Sequence, residues 1–322
     1  MAEFSKERGN PGEWDQTKKE LTIKQTRQLP PELSDVSISL TGGRVDIHGG
    51  KRLIPILTTG LFIRGNTEDE ARASLERKQG ELMVIVEGNR LVIDGTNETE
   101  TDQRVIENIR DAWPDVLPGQ VPEEGKPLMR RDVDLLVPES GISYDIKTKT
   151  ANSALEEVSG EAEVSSEFGH VYVGRYDGKI SIQTKNGDIS GEDVTAILRA
   201  KTAGGDVFLT DFDGEARIGT LLGSVLVDRA NFSGPDNEIT TGFGKIEVKT
   251  TNESLTVEAN GKLGKIELPR DGFTVTNDEL VRHDGKPEKF IQGYFGDGTT
   301  DSNYLFLRNN EGGIVFEKAR DE

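Results

Sequence analysis

Residues 161–178 read EAEVSSEFGHVYVGRYDG, residues 179–196 KISIQTKNGDISGEDVTA, and residues 197–214 ILRAKTAGGDVFLTDFDG. Laid one above another, the segments share a register. Val164, Ile182, Ala200 and Ile218 lie eighteen residues apart, as do Val171, Ile189, Val207 and Val225. Gly169, Gly187, Gly205 and Gly223 keep the same step, and after two or three extra residues the series resumes at Gly244 and Gly264. Apolar residues come two apart, as in Ile180/Ile182, Val207/Leu209, Val225/Val227, Ile246/Val248 and Ile266/Leu268. That is the period of a strand with one face buried. The pairs recur every nine residues, so each unit reads as two short strands joined by turns such as Lys185-Asn186-Gly187-Asp188 and Asp211-Phe212-Asp213-Gly214. Gly, Asn and Asp supply the backbone angles such turns need.

A register held over several units points to stacking, each unit laying its strands in parallel on those of the unit before. The chain is therefore expected to be all-β, a parallel β-solenoid with two short strands per coil of about eighteen residues and small helical insertions or caps. Seven such coils would span roughly 33 Å at the usual strand spacing. Further out, Leu305/Leu307 and Ile314/Phe316 repeat the nine-residue step. Ile38/Leu40 with Val45/Ile47, and Val84/Val86 with Leu91/Ile93, show a step of seven. These N-terminal pairs fit irregular coils or hairpins, the shorter step leaning toward hairpins.

Two stretches break the β pattern. Thr67 and Glu70 stand at capping-box spacing before Ala71, Ala73 and Leu75, which predicts a helix to about Gln79. Val105, Ile106, Ile109 and Trp113 share the face of a second helical stretch that Pro114 ends. Both are read as caps or flanks of the stack rather than docking elements. Residues 117–131, rich in Pro, Gly and Glu, read as a linker. The expected organisation is a disordered tail over 1–20 carrying Phe4 and Trp14, an N-terminal β segment with helical insertions over 21–130, a regular solenoid core over 131–272, and a C-terminal coil and cap over 273–322.

Composition agrees. Of 322 residues 33% are apolar, 6% aromatic and 37 are glycine, while Asp+Glu 58 against Lys+Arg 39 leaves a net charge of −19. A narrow core needs few large side chains, and the excess carboxylates suit solvent-facing positions of a soluble rod. That charge disfavours nucleic acid and anionic membranes. With no cysteine, disulfides, thiolate nucleophiles and Cys-ligated zinc are excluded. The polar N-terminus is not a signal peptide, and the apolar-rich stretch Leu53–Ile63, interrupted by Pro55 and Gly60, is too short to span a bilayer. The expected compartment is the cytoplasm, with non-classical export as the alternative.

Chemistry is sparse. The eighteen-residue step is shared with hexapeptide-repeat acyltransferases, but six-step positions from Val164 give His170 and Tyr176, and from Val171 give Asp177 and Gln183, so the aliphatic hexad fails. Calcium-binding rolls also repeat at nine, yet only fragments such as Gly204-Gly205-Asp206 and Asn186-Gly187-Asp188 occur. Asp188, Asp193, Asp206, Asp211 and Asp213 are read as turn formers and surface charge rather than ligands. His48, His170 and His283 have no metal-ligand spacing, and no phosphate or dinucleotide motif is present. No carboxylate pair stands out for glycoside chemistry. The aromatics Tyr172, Tyr176, Phe208 and Phe212 coincide in part with inward or turn positions rather than a surface row. No catalytic, cofactor or metal residue is assigned.

The run Val133-Asp134-Leu135-Leu136-Val137-Pro138, followed by Ile182-Gln183-Thr184-Lys185-Asn186-Gly187-Asp188-Ile189, resembles the prokaryotic putative-adhesin β-solenoid family, a domain of unknown function with T-x-x-G-x-I units. Gly42-Gly43-Arg44-Val45-Asp46-Ile47 and the 67–75 helix resemble its opening segment. The likeness covers most of 33–316 and is strongest over 131–268; no leader or anchor helix precedes it, and 101–130 looks like an insertion. The resemblance implies a fold more than a mechanism. The expected function is a non-catalytic structural or interaction module, an adhesin-like rigid rod that binds a protein or glycan through its faces or loops. The alternatives are a bactofilin-like scaffold that self-associates through its ends and, below it, a polysaccharide-acting β-helix enzyme.

Overall fold

The computed structural model describes residues 13–16, 18, 20–51, 54–77, 82–96, 129–269, 271–283, 286–296 and 303–319. The helical stretch expected at Val105–Trp113, most of the 117–131 linker and the first twelve residues lie outside them. Among the described residues one short helix accompanies an otherwise all-β chain. No helix there is long and apolar enough to cross a membrane. The chain forms two compact units, Met1–Gly169 and His170–Glu322.

The first unit holds β1 (Glu13–Asp15), β2 (Glu20–Gln28), β3 (Asp35–Leu40), β4 (Gly43–Gly50), β5 (Ile56–Arg64), α1 (Glu68–Arg77), β6 (Met83–Glu87), β7 (Arg90–Gly95), β8 (Met129–Pro138), β9 (Ile142–Thr148), β10 (Asn152–Glu156) and β11 (Ser159–Ser166). The helix begins as its sequence indicates: the Glu70 amide donates to Thr67 Oγ1 at 3.2 Å, and the Glu70 carboxylate reaches back to the Asn66 amide at 3.0 Å. Ala71 packs with Leu21 and Ile63. The pair Val84/Val86 and Leu91/Ile93 is an antiparallel hairpin, β6–β7. The pair Ile38/Leu40 and Val45/Ile47 is not. There β3 lies parallel between β7 and β9, and β4 parallel between β8 and β10. Each apolar pair thus has a parallel partner on both sides, which keeps Ile38 and Ile47 wholly buried. A β3–β4 hairpin would give each strand one of those neighbours at most.

The second unit holds β12 (Val171–Thr184), β13 (Ile189–Thr202), β14 (Val207–Thr220), β15 (Val225–Phe232), β16 (Asn237–Thr241), β17 (Ile246–Thr250), β18 (Leu255–Gly261), β19 (Ile266–Glu267), β20 (Phe273–His283), β21 (Lys286–Phe295), β22 (Tyr304–Asn309) and β23 (Ile314–Lys318). β12, β13 and β14 pair in parallel with Val171 beside Ile189 and Ile189 beside Val207, eighteen residues on each time. β14 then pairs with β15 through its first half and β16 through its second. Val171, Ile189, Val207 and Val225 are at most 1% exposed. The alternating residues Ser181, Gln183, Arg199 and Lys201 face solvent.

The Thr-x-x-Gly turns carry both the turn and the stacking. The amides of Gly205, Gly223 and Gly244 donate to Thr202, Thr220 and Thr241 Oγ1 at 3.0, 3.1 and 3.1 Å. Those hydroxyls in turn donate to the carbonyls of Gly187, Gly205 and Gly223 in the preceding turn, at 3.1, 3.0 and 2.9 Å. Each threonine therefore closes its own turn and ties it to the one before. Glycine is required because turns stack this closely: a Cβ on Gly223 would fall 1.9 Å from the Gly205 carbonyl oxygen, and one on Gly244 2.0 Å from that of Gly223.

Chain order also fails in the second unit. After Gly244 the next turn in the stack is that of Gly312, and only then Gly264. β22 pairs in parallel with both β16 and β18, and β23 with both β17 and β19. Asn309 takes the threonine's part there, accepting from the Gly312 amide and donating to the Gly244 carbonyl, both at 2.6 Å. The C-terminal strands are thus interior members of the array. The β18 edge left over is covered by β21 running antiparallel, and β20 folds back on β21. Phe273, Phe295 and Phe316 cluster with ring centroids 5.2–6.0 Å apart, filling this end.

Candidate interaction surface

The two middle residues of each Thr-x-x-Gly turn are exposed, Gly242 excepted, and their side chains take no part in the turn's Thr–Gly hydrogen bonds. They are Lys185-Asn186, Ala203-Gly204, Leu221-Leu222 and Gly242-Phe243 in successive turns. Leu221, Leu222 and Phe243 are 54%, 60% and 51% exposed, although they are large and apolar. They lie side by side, since the Phe243 amide donates to the Leu221 carbonyl at 3.0 Å and the Leu222 amide to Ala203 at 2.9 Å. Phe208, 40% exposed, pairs with Leu226 on the adjoining outer face. Lys185, Lys201 and Lys245 are exposed around these tips, Lys245 with its ammonium 2.6 Å from Glu247. In a chain of net charge −19, this edge combines apolar tips with a lysine rim.

The acidic turn residues bind backbone. Asp188 Oδ1 accepts the Asp206 amide at 2.9 Å, and Asp206 Oδ1 accepts the Ser224 amide at 2.7 Å. His170 begins this row, its Nδ1 taking the Asp188 amide at 3.1 Å. Asp211 forms a two-pronged pair with Arg229, at 2.6 and 2.5 Å, and that guanidinium holds the Asp211 carboxyl below its ordinary value. Asp213 meets the Asn231 amide group at 3.3 Å. Among the described residues, no three histidines or carboxylates come together in a way that could hold a metal ion.

Asp193, Asp211 and Arg229 share a further feature with Glu157 and Arg175. All five have positive φ, between 46° and 57°, and stand eighteen apart. Glu157 stands between β10 and β11, and the other four lie within β12, β13, β14 and β15; the residue that follows each of them turns in, Val158, Tyr176, Val194, Phe212 and Ala230 all being buried. The left-handed conformation is disfavoured for side chains other than Gly, Asn and Asp, so two arginines and a glutamate give no sequence sign of it.

Of the aromatics, Tyr176 and Phe212 are core, while Tyr172 and Phe208 share the outer face two strands apart, with Ser190 between them. His48 lies within β4, 3.2 Å from Glu156. Carboxylates are not confined to solvent. On the outer face of β4 and β8, Asp46 stands beside Asp134 and Asp132 beside Arg44. Burial raises the Asp46 and Asp132 carboxyls above the usual range, against the pull of Arg44 on the first and Arg130 on the second.

No protein-family model matches the chain, and no curated protein matches it. Among solved structures it is similar to a "putative adhesin" of Parabacteroides distasonis ATCC 8503, with 8% identity, 92% of this chain and 96% of that one covered, and a TM-score of 0.43. A "putative lipid binding protein" of the same organism gives 12% identity over 97% and 98% of the two chains, with a TM-score of 0.42. A "putative adhesin" of Bacteroides fragilis NCTC 9343 gives 11% identity over 92% and 96%, with a TM-score of 0.40.

Proposed function

We propose that the chain is a β-solenoid serving as a rigid, non-catalytic interaction module, and that it engages a protein partner through the turn edge at Leu221, Leu222 and Phe243. The observation that carries this is the exposure of three large apolar side chains on adjacent turns, where the turn chemistry asks only for Thr and Gly. Apolar anchors with a charged rim are the anatomy of a protein interface. Of the protein or glycan partner expected, two leucines favour the protein, because sugar faces stack on flat aromatic rings. Growth into a filament fits less well, since antiparallel β21 occupies the β18 edge.

The test replaces all three residues by serine. These side chains are exposed, so the free energy of unfolding should change by no more than the roughly 0.5 kcal/mol typical of surface substitutions. A partner captured by the native chain should bind at least about tenfold more weakly to the variant. A glycan array run in parallel separates the two ligand classes. Equal capture by both chains, or glycan binding that survives the substitutions, contradicts the reading.

A further inference from the structure

Among the described residues, β20 pairs with β21 alone, so one edge of an eleven-residue strand offers its backbone groups to solvent. Long open edges are templates for another strand. The register with β21 fixes which side chains share a face. Asp278 stands opposite Ile291, Leu280 opposite Lys289 and Arg282 opposite Pro287, which puts Asp278, Leu280 and Arg282 on one face. Lys289 reaches Asp278 on that face. Leu280 is 69% exposed, and Val281 beside it on the other face is also exposed.

We propose that β20 is a homodimer edge, pairing antiparallel with β20 of a second copy about a two-fold axis at Leu280. Asp-x-Leu-x-Arg is complementary to itself when reversed. Leu280 then meets Leu280 of the second copy, and each Asp278 meets the other copy's Arg282, giving one apolar pair flanked by two cross-strand ion pairs. Such pairs stabilise strand association and set its register. A slip by two residues puts Asp278 against Asp278 and leaves Leu280 opposite Thr276, where the register with β21 already shifts between Val275 and Asn277. The charges that ordinarily guard an edge against pairing here admit one alignment. The contact is isologous and closes at two copies, which separates it from filament growth.

Sedimentation of the full chain tests this, with the native sequence, Asp278→Arg, Arg282→Asp, Leu280→Lys and an equal mixture of the two charge variants. The native chain should reach twice its 35.3 kDa mass at concentrations up to about 200 µM, the range of a modest edge interface. Each charge variant, now facing like charges, should associate about tenfold more weakly or worse. Leu280→Lys should do the same by setting two ammonium groups on the axis. The mixture should recover a one-to-one heterodimer, because the basic strand of one variant meets the acidic strand of the other. A native chain that stays monomeric throughout overturns the proposal. So does a dimer that both charge variants form as well as the native chain, or assembly that continues beyond two copies.

Discussion

Replacing Val207 with aspartate is expected to abolish the cooperative folding of the second unit. Val207 has no solvent exposure and sits between Ile189 and Val225 in parallel neighbouring strands. The substitution forfeits about 2 kcal/mol of apolar burial and places a carboxylate between the buried side chains of Ile189 and Val225. An unpaired buried charge costs several kcal/mol more even after its pKa adjusts. Together these approach the ~5–15 kcal/mol that hold a domain folded. The next residue provides the contrast. Phe208 is 40% exposed, and Phe208→Asp should cost about 0.5 kcal/mol or less. Thermal melting followed by circular dichroism separates the two. A cooperative transition retained by Val207→Asp would show that this strand face is not the core.

Ending the chain at Asn303 is expected to be as damaging, although it removes only the last nineteen residues. In chain order those residues would be a cap, and losing a cap costs little. In the structure β22 and β23 lie between strands on either side, and Leu305, Leu307, Ile314 and Phe316 are at most 1% exposed. At about 1.5–3 kcal/mol for each fully buried side chain, the loss is comparable to the stability of a whole domain. It also leaves β16 and β18 without the strand that joins them, and takes Phe316 from the ring cluster with Phe273 and Phe295. Amide hydrogen exchange should show protection lost across residues 237–261, with chemical denaturation reporting a lower, broader transition. A shortened chain that melts like the full one would place the C-terminal strands outside the array.

These two cases mark what the sequence discloses. The eighteen-residue step is legible because parallel stacking needs like residues at like positions, and Val171, Ile189, Val207 and Val225 are indeed paired neighbours. The Thr-x-x-Gly turn is legible for the same reason, each Thr serving two turns at once. The place of β22 and β23 is not. Leu305/Leu307 fits beside Ile239 as well as Ala259 does, and spacing alone does not say which neighbour a strand takes. The same holds for β3 and β4: a short loop between two apolar pairs suits a hairpin, while their partners lie 55 to 108 residues away. Leu221, Leu222 and Phe243 occupy turn positions, where sequence alone does not mark them as an exposed apolar group. Their one sign in the sequence is large apolar residues where the preceding turns carry Lys-Asn and Ala-Gly.

Parallel pairing of successive strands holds the second unit together, and a disulfide tests it directly in a chain with no native cysteine. Ser181 and Arg199 are neighbours across parallel strands and face solvent, within the Cα separation a disulfide requires. If the turn at residues 185–188 instead closed an antiparallel hairpin, Ser181 would lie beside Glu192. Mild oxidation of Ser181→Cys/Arg199→Cys should therefore give an intramolecular disulfide in good yield, detected by mass spectrometry after digestion, while Ser181→Cys/Glu192→Cys stays reduced. Closure of the 181–192 bond and failure of the 181–199 bond would contradict the parallel array.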